Sequence, residues 1–212
     1  MITAGEQASE ERKRQVAEAV ISLVAREGLA AASIRRVAAE AGVSAGLVQR
    51  YFRTKRELLR FAFSHLHDAT MRRLSEVGPR TGDVTARLVD SLSVLLPLDE
   101  WRRAEAAVWL AFLAETQHDP VLARAHEDAT RLGRELIAEA VRAAQRTGEA
   151  ESTVDADSAA ALVMAFLDGL VTQLATMPGL CDADWGRRAL AAAVEHALRH
   201  PVSSPDDAGE LT

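Results

Sequence analysis

The chain has 212 residues, a net charge of −6, 12 glycines, 6 prolines and a single cysteine, Cys181. That length can bury a sizeable apolar core, and a lone cysteine excludes both a disulfide framework and a thiolate metal centre. No alternating β-branched run appears, so the composition points to an all-α fold of about nine helices.

Residues 1–9 read as frayed, and the polar stretch Met1–Glu11 lacks the apolar core of a secretory signal. Glu10–Glu27 is predicted as a helix, with Val16, Val20, Leu23 and Val24 on one stripe and Gly28 as its stop. Ser33–Phe52 then reads as two short helices joined by a tight turn. Ile34, Val37, Ala38 and Ala41 repeat at helical spacing behind Ser33 as N-cap. Gly42 supplies the left-handed backbone that stops a helix within one residue, Val43 drops into the angle, and Ser44 caps the next helix. In that second helix Val48 and Phe52 share one face, which leaves Gln49, Arg50 and Arg53 on the other. Ala38 keeps the crossing close. This is the logic of a helix-turn-helix, whose second helix enters the DNA major groove.

Thr54 and Glu57 form a predicted capping box opening a long helix to about Val77, which Gly78 and Pro79 close. Further helices are expected over Val84–Leu96 with Pro97 as stop, and over Glu100–Gln117 behind Asp99. Another runs from Asp119, a cap, and Pro120 to Thr147. The last two span about Asp155–Thr176 and Asp184–Arg199. The domains expected are a helix-turn-helix DNA-binding domain over 1–53, a helical effector-binding and dimerisation domain over 54–200, and a disordered tail over 201–212. The most apolar segment, Ala159–Met177, is interrupted by Asp168, Gly169, Thr172 and Gln173, which reads as a buried helix and not a membrane span. A cytoplasmic protein with no membrane partner is expected.

Charge is unevenly spread. Residues 1–63 carry +4 and the remainder −10, a basic head on an acidic body, as expected of a DNA-binding domain attached to one that does not bind DNA.

The stretch AGVSAGLVQRYFRTKRELL resembles the N-terminal domain of TetR-type transcriptional regulators. Ala41, Gly42, Val43, Ser44, Gly46, Tyr51, Phe52 and Lys55, followed by Glu57, Leu58 and Leu59, carry the resemblance, which covers roughly residues 10–63. Two positions depart from the pattern: Gln49 stands where the family often has a tyrosine, and Arg36 where many members have an acid. A weaker resemblance, to the BetI-like branch whose founding members answer to choline, rests on Trp109-Leu110-Ala111-Phe112, His118-Asp119-Pro120 and Asp168-Gly169-Leu170. Ligand chemistry varies within such branches.

The expected DNA-facing set is Arg35, Arg36, Ser44, Ala45, Gly46, Leu47, Gln49, Arg50, Tyr51, Thr54, Lys55 and Arg56. The Gln49 amide can pair with adenine N6 and N7, and Ala45 and Leu47 can touch thymine methyls. Tyr51, Thr54, Lys55 and the arginines would hold phosphates. The resemblance implies a homodimer in which the last two helices pair with their symmetry mates, through Phe166, Leu170, Leu174, Leu190, Val194 and Leu198. A two-fold pair would place its recognition helices one DNA turn apart on a near-palindromic operator.

On the helix Glu100–Gln117, Trp101, Val108 and Phe112 define an apolar stripe into which Glu105 falls, with Glu115 one turn beyond Phe112. An acid there needs a compensating partner, either an arginine such as Arg87 or Arg131 or a ligand cation. The expected effector pocket is lined by Phe63, Leu66, Trp101, Glu105, Trp109 and Phe112, and takes a small organic effector, cationic or partly aromatic. No phosphate loop or nucleophile elbow appears, and His196 with His200 reads as a cationic helix end and not a metal site. No catalytic residue, metal or cofactor is expected. These features add up to a ligand-responsive, homodimeric repressor. An activator of the same fold, and a helical small-molecule-binding or scaffold protein that no longer binds DNA, remain open beside it.

Overall fold

The computed structural model describes residues 4–76 and 82–201. Among them are nine α-helices and no strand: α1 (Ala4–Glu27), α2 (Ile34–Glu40), α3 (Ala45–Tyr51), α4 (Lys55–Glu76), α5 (Val84–Leu92), α6 (Glu100–Glu115), α7 (Pro120–Thr147), α8 (Ala156–Thr176) and α9 (Ala183–Arg199). Single 3-10 turns occupy Leu29–Ala31 and Ser93–Leu95. The helix expected from Glu10 begins six residues earlier, at Ala4. The expected stop at Gly78-Pro79 and the tail beyond Pro201 lie outside the described residues.

The chain divides into two compact units, residues 1–73 with 100–123, and residues 74–99 with 124–212. In the first, Val16, Val20, Leu23 and Val24 of α1 bury against Val37 and Ala38 of α2, Val48 of α3 and Phe52. The same core takes in Leu58, Ala62, Phe63 and Leu66 of α4 with Val108 and Phe112 of α6. The corner between α2 and α3 is set locally. Ser33 Oγ accepts from the Arg36 N–H, and Ser44 Oγ accepts from the Leu47 N–H at 3.1 Å. Gly42 sits at φ 64°, where its N–H donates to Ala39 O and that of Val43 to Ala38 O, satisfying the last carbonyls of α2. The box at the head of α4 is reciprocal: Thr54 Oγ1 accepts from the Glu57 N–H, and Glu57 Oε2 accepts from the Thr54 N–H.

The second unit packs Leu88 and Leu92 of α5, Ile137 and Val141 of α7, Val163, Leu167, Leu170 and Leu174 of α8, and Leu190, Val194 and Leu198 of α9 into one core. Gly186 makes the approach of α9 to α8 possible, since a Cβ there would stand 2.8 Å from Leu174 Cδ1. The cap of α9 is Asp182, which accepts from the Trp185 N–H at 2.6 Å, so the helix starts at Ala183, one residue before the expected Asp184. Asp184 sits in the first helical turn, where a carboxylate favours the helix without capping it.

Candidate nucleic-acid interface and effector site

The two faces of α3 differ as its periodicity demands. Val48 is fully buried, while Gly46, Gln49 and Arg50 are exposed. Ala45, Leu47 and Tyr51 are half-buried; Ala45 and Tyr51 pack against the first core, and the Tyr51 ring meets Phe52 edge-on at 6.4 Å. Ser44, Thr54, Lys55 and Arg56 are exposed around it, with Arg35 and Arg36 exposed on α2.

The cations of this surface are not equivalent. Arg35, Arg50 and Arg56 make no ion pair among the described residues. Lys55 Nζ donates to the Leu29 carbonyl at 3.3 Å, a neutral partner that leaves its charge intact. Arg36 is paired with the Glu27 carboxylate at 2.6 Å. Arg60, one turn beyond Arg56 on α4, is committed to Asp119 through two bonds of 2.8 and 2.6 Å. Asp119 was legible only as the cap of α7. It does accept from the Val121 N–H at 3.0 Å, but its second role needs a partner 59 residues away.

Further polar contacts that no local pattern announces hold α2 to α1. Gln15 Nε2 donates to Ala41 O at 2.8 Å, at the end of α2 beside the turn. Arg26 donates to both carboxylate oxygens of Glu40, to which Ser22 Oγ also donates. These bonds, with Arg26 foremost, hold the Glu40 carboxyl down to about 2. Only the opposite charges of these residues could have hinted at the pairing.

Five of the six effector residues are buried or half-buried in the first unit. Phe63 stacks on Trp109 at 5.3 Å and meets Phe112 edge-on at 5.4 Å, with Leu66 and Phe112 buried in the same core. Trp101 departs from expectation. It is 68% exposed, because it lies at the right angle around α6 but in the first turn, away from the buried Val108 and Phe112. Glu105 retains only 13% side-chain exposure, and its partner is an arginine, Arg73 of α4, at 2.7 Å. Neither arginine considered from sequence is that partner: Arg87 pairs with Glu149, and Arg131 with Asp128 and Glu135. Arg73 also donates to Thr70 Oγ1, while its buried Nε has no hydrogen-bond partner.

The expected subunit contacts need correction. Leu170, Leu174, Leu190, Val194 and Leu198 are buried inside this chain, in the seam between α8 and α9. Phe166 alone of the six stays exposed. α8 is the one described helix long and apolar enough to cross a membrane, with only a third of that apolar window buried. Its buried face, Ala159, Val163, Leu167, Leu170 and Leu174, is part of the second unit's core. The rings of His196 and His200 lie 4.5 Å apart, and no group of three or more metal-ligating side chains occurs among the described residues.

Residues 17–61 match the model of bacterial regulatory proteins of the tetR family, and residues 84–199 match that of the BetI-type transcriptional repressor C-terminal domain. The chain belongs to the TetR family. It is a transcriptional regulator with a DNA-binding helix-turn-helix, and not an enzyme. It is 30% identical to the HTH-type transcriptional regulator PksA of Bacillus subtilis, over 88% of this chain and 89% of that one. A transcriptional regulator from Rhodococcus superposes with a TM-score of 0.80 at 35% identity, covering 88% of this chain and 95% of its own. A regulator from Saccharomonospora viridis, crystallised in complex with choline, also gives 0.80, at 28% identity and with 88% and 97% covered.

Proposed function

We propose that this chain is a homodimeric repressor released from a near-palindromic operator by a small organic cation. One observation carries the reading: a single helix, α4, has Lys55 and Arg56 at its start and Arg73 bound to the largely desolvated Glu105 in its last turns. Glu105 holds a cation already, the guanidinium of Arg73, beside the stacked rings of Phe63 and Trp109. An effector cation that takes over this carboxylate gains both the counter-charge and the ring faces, each ring contributing roughly 0.5–2 kcal/mol. It frees the end of α4 in doing so, and it shifts DNA binding to the extent that it binds the two states with different affinity. The regulator related in structure that binds choline supports this charge class.

Dimerisation is read from α8. Its apolar stretch has a mean hydropathy of 1.6 yet is mostly uncovered by the chain itself, and Phe166 lies on the uncovered side. A second copy set there by two-fold symmetry covers it, and reading two half-sites one DNA turn apart requires α3 helices about 34–36 Å apart. Sedimentation at micromolar concentration is expected to give a dimer. The effector reading is tested by Glu105→Gln, with retention of the DNA upstream of the gene and release by choline or another quaternary amine measured separately. Retained DNA binding with lost release is the expected result. Full release by the same cation rejects the role of Glu105.

A further inference from the structure

The last residue of α1 and the turn that follows it hold cations of the DNA-facing surface, and they do so differently. The Leu29 carbonyl receives Lys55, whereas the Glu27 carboxylate receives Arg36. Glu27 closes α1 and Arg36 stands in the first turn of α2, each carrying the sign that its helix end disfavours. Neither charge therefore serves its own helix. The other acid near Arg36, Glu40, is already satisfied by Arg26 and Ser22. The Glu27–Arg36 pair lies open to solvent, with 40% and 48% of the two side chains exposed, so an incoming phosphate can reach the guanidinium.

We infer that Glu27 is an intramolecular competitor of the DNA backbone for Arg36, and so sets the non-specific affinity of the regulator. This rests on the reading that Arg36 is a phosphate contact. A guanidinium binds carboxylate and phosphate with the same fork of donors, so one anion must leave for the other to bind. Where the carboxylate stays, it also repels the neighbouring phosphates. Arg36 then neutralises less than one phosphate in the complex, while Lys55, held by a neutral carbonyl, counts in full.

The test uses the full-length protein and a fluorescent mixed-sequence duplex of about 30 base pairs, long enough for two half-sites one turn apart. Binding is measured across a salt series for Glu27→Gln, Arg36→Ala, the double variant and Lys55→Ala. Glu27→Gln is expected to tighten binding about two- to fivefold at low salt, the range of an exposed ion pair, and to steepen the salt slope by up to about one unit. Lys55→Ala flattens the slope by about one unit, and Arg36→Ala by less. In the Arg36→Ala background, Glu27→Gln should give a smaller gain, only that of removing an acid's repulsion of the phosphates. The inference is overturned if the gain from Glu27→Gln is undiminished without Arg36, which makes it a general effect of removing an acid. It is equally overturned if Arg36→Ala weakens binding while Glu27→Gln leaves it unchanged. An Arg36→Ala variant that binds like the parent removes Arg36 from the interface, a failure of the underlying reading that these measurements separate from the other two. Thermal melts of each variant report whether the fold is intact.

Discussion

Two arginine–carboxylate pairs tie α4 to its neighbours within the first unit, one near each end, and they are built to different standards. Arg60 meets Asp119 with two nitrogens on two oxygens, and Asp119 is 4% exposed and also accepts from the backbone of α7. The side-chain hydrogen bond from Arg60, with the backbone N–H groups of Val121 and Leu122, holds the Asp119 carboxyl below its usual range. Arg73 meets Glu105 through one nitrogen on one oxygen and leaves its buried Nε without a partner. A saturated pair resists exchange because every group it would release is left unsatisfied. An incompletely satisfied pair has less to lose to a competing cation. Chemistry this similar thus gives a fixed anchor at the start of α4 and an exchangeable contact toward its end.

The largest effect should come from the anchor. Asp119→Ala removes a bidentate partner and a helix cap together, and it should cost about 1.5–3 kcal/mol in urea unfolding. Arg60 is 28% exposed, so water takes up part of its charge and the full penalty for breaking a buried pair does not apply. The carboxyl's folded value is lowered, so its contribution is complete above about pH 4 and is lost as pH falls through the lowered value. If Asp119→Ala cost no more than a typical surface substitution, the two pairs would be alike and the contrast would fail.

Arg73→Ala should act on ligand before stability. It removes the cation that competes for Glu105, and one charge-assisted hydrogen bond corresponds to about a tenfold change in the affinity of a quaternary amine. Titration calorimetry reads this directly. Weaker amine binding in Arg73→Ala would mean that Arg73 helps to build the site and does not occupy it.

The elements that proved legible from sequence are those whose partners lie within one turn of chain. Ser33, Gly42, Ser44 and the Thr54–Glu57 box act on backbone groups at most four residues away, and each stands in the structure as its residue type requires. The Arg73–Glu105 pair spans 32 residues, and stripe geometry could say that Glu105 needs a cation but not which one. The seam of α8 and α9 misled for a related reason. Leu170, Leu190 and Val194 are apolar because they are buried, and periodicity does not distinguish burial against one's own chain from burial against a partner. Trp101 shows that the angle around a helix can be read from sequence while the length of helix that is covered cannot.

The smallest expected effect lies between the two pairs, at His65 on the middle of α4. Its Nε2 is 4.0 Å from Glu18 Oε1 of α1, and its side chain is 17% exposed. Burial pushes the imidazole below its ordinary value of 6.5, more than Glu18 and Asp68 raise it, and Arg72 and Arg14 add to the lowering. A base with a lowered folded value binds fewer protons folded than unfolded. Stability should therefore be complete above about pH 6.5 and decline as pH falls toward the folded value. Urea unfolding between about pH 7.5 and 5.5 should show this step in the parent and lose it in His65→Gln. Stability that rose on acidification instead would mean that protonated His65 and Glu18 form a third charged tie on α4. In that case the helix would be pinned between its two ends, and release of Arg73 alone would not free it.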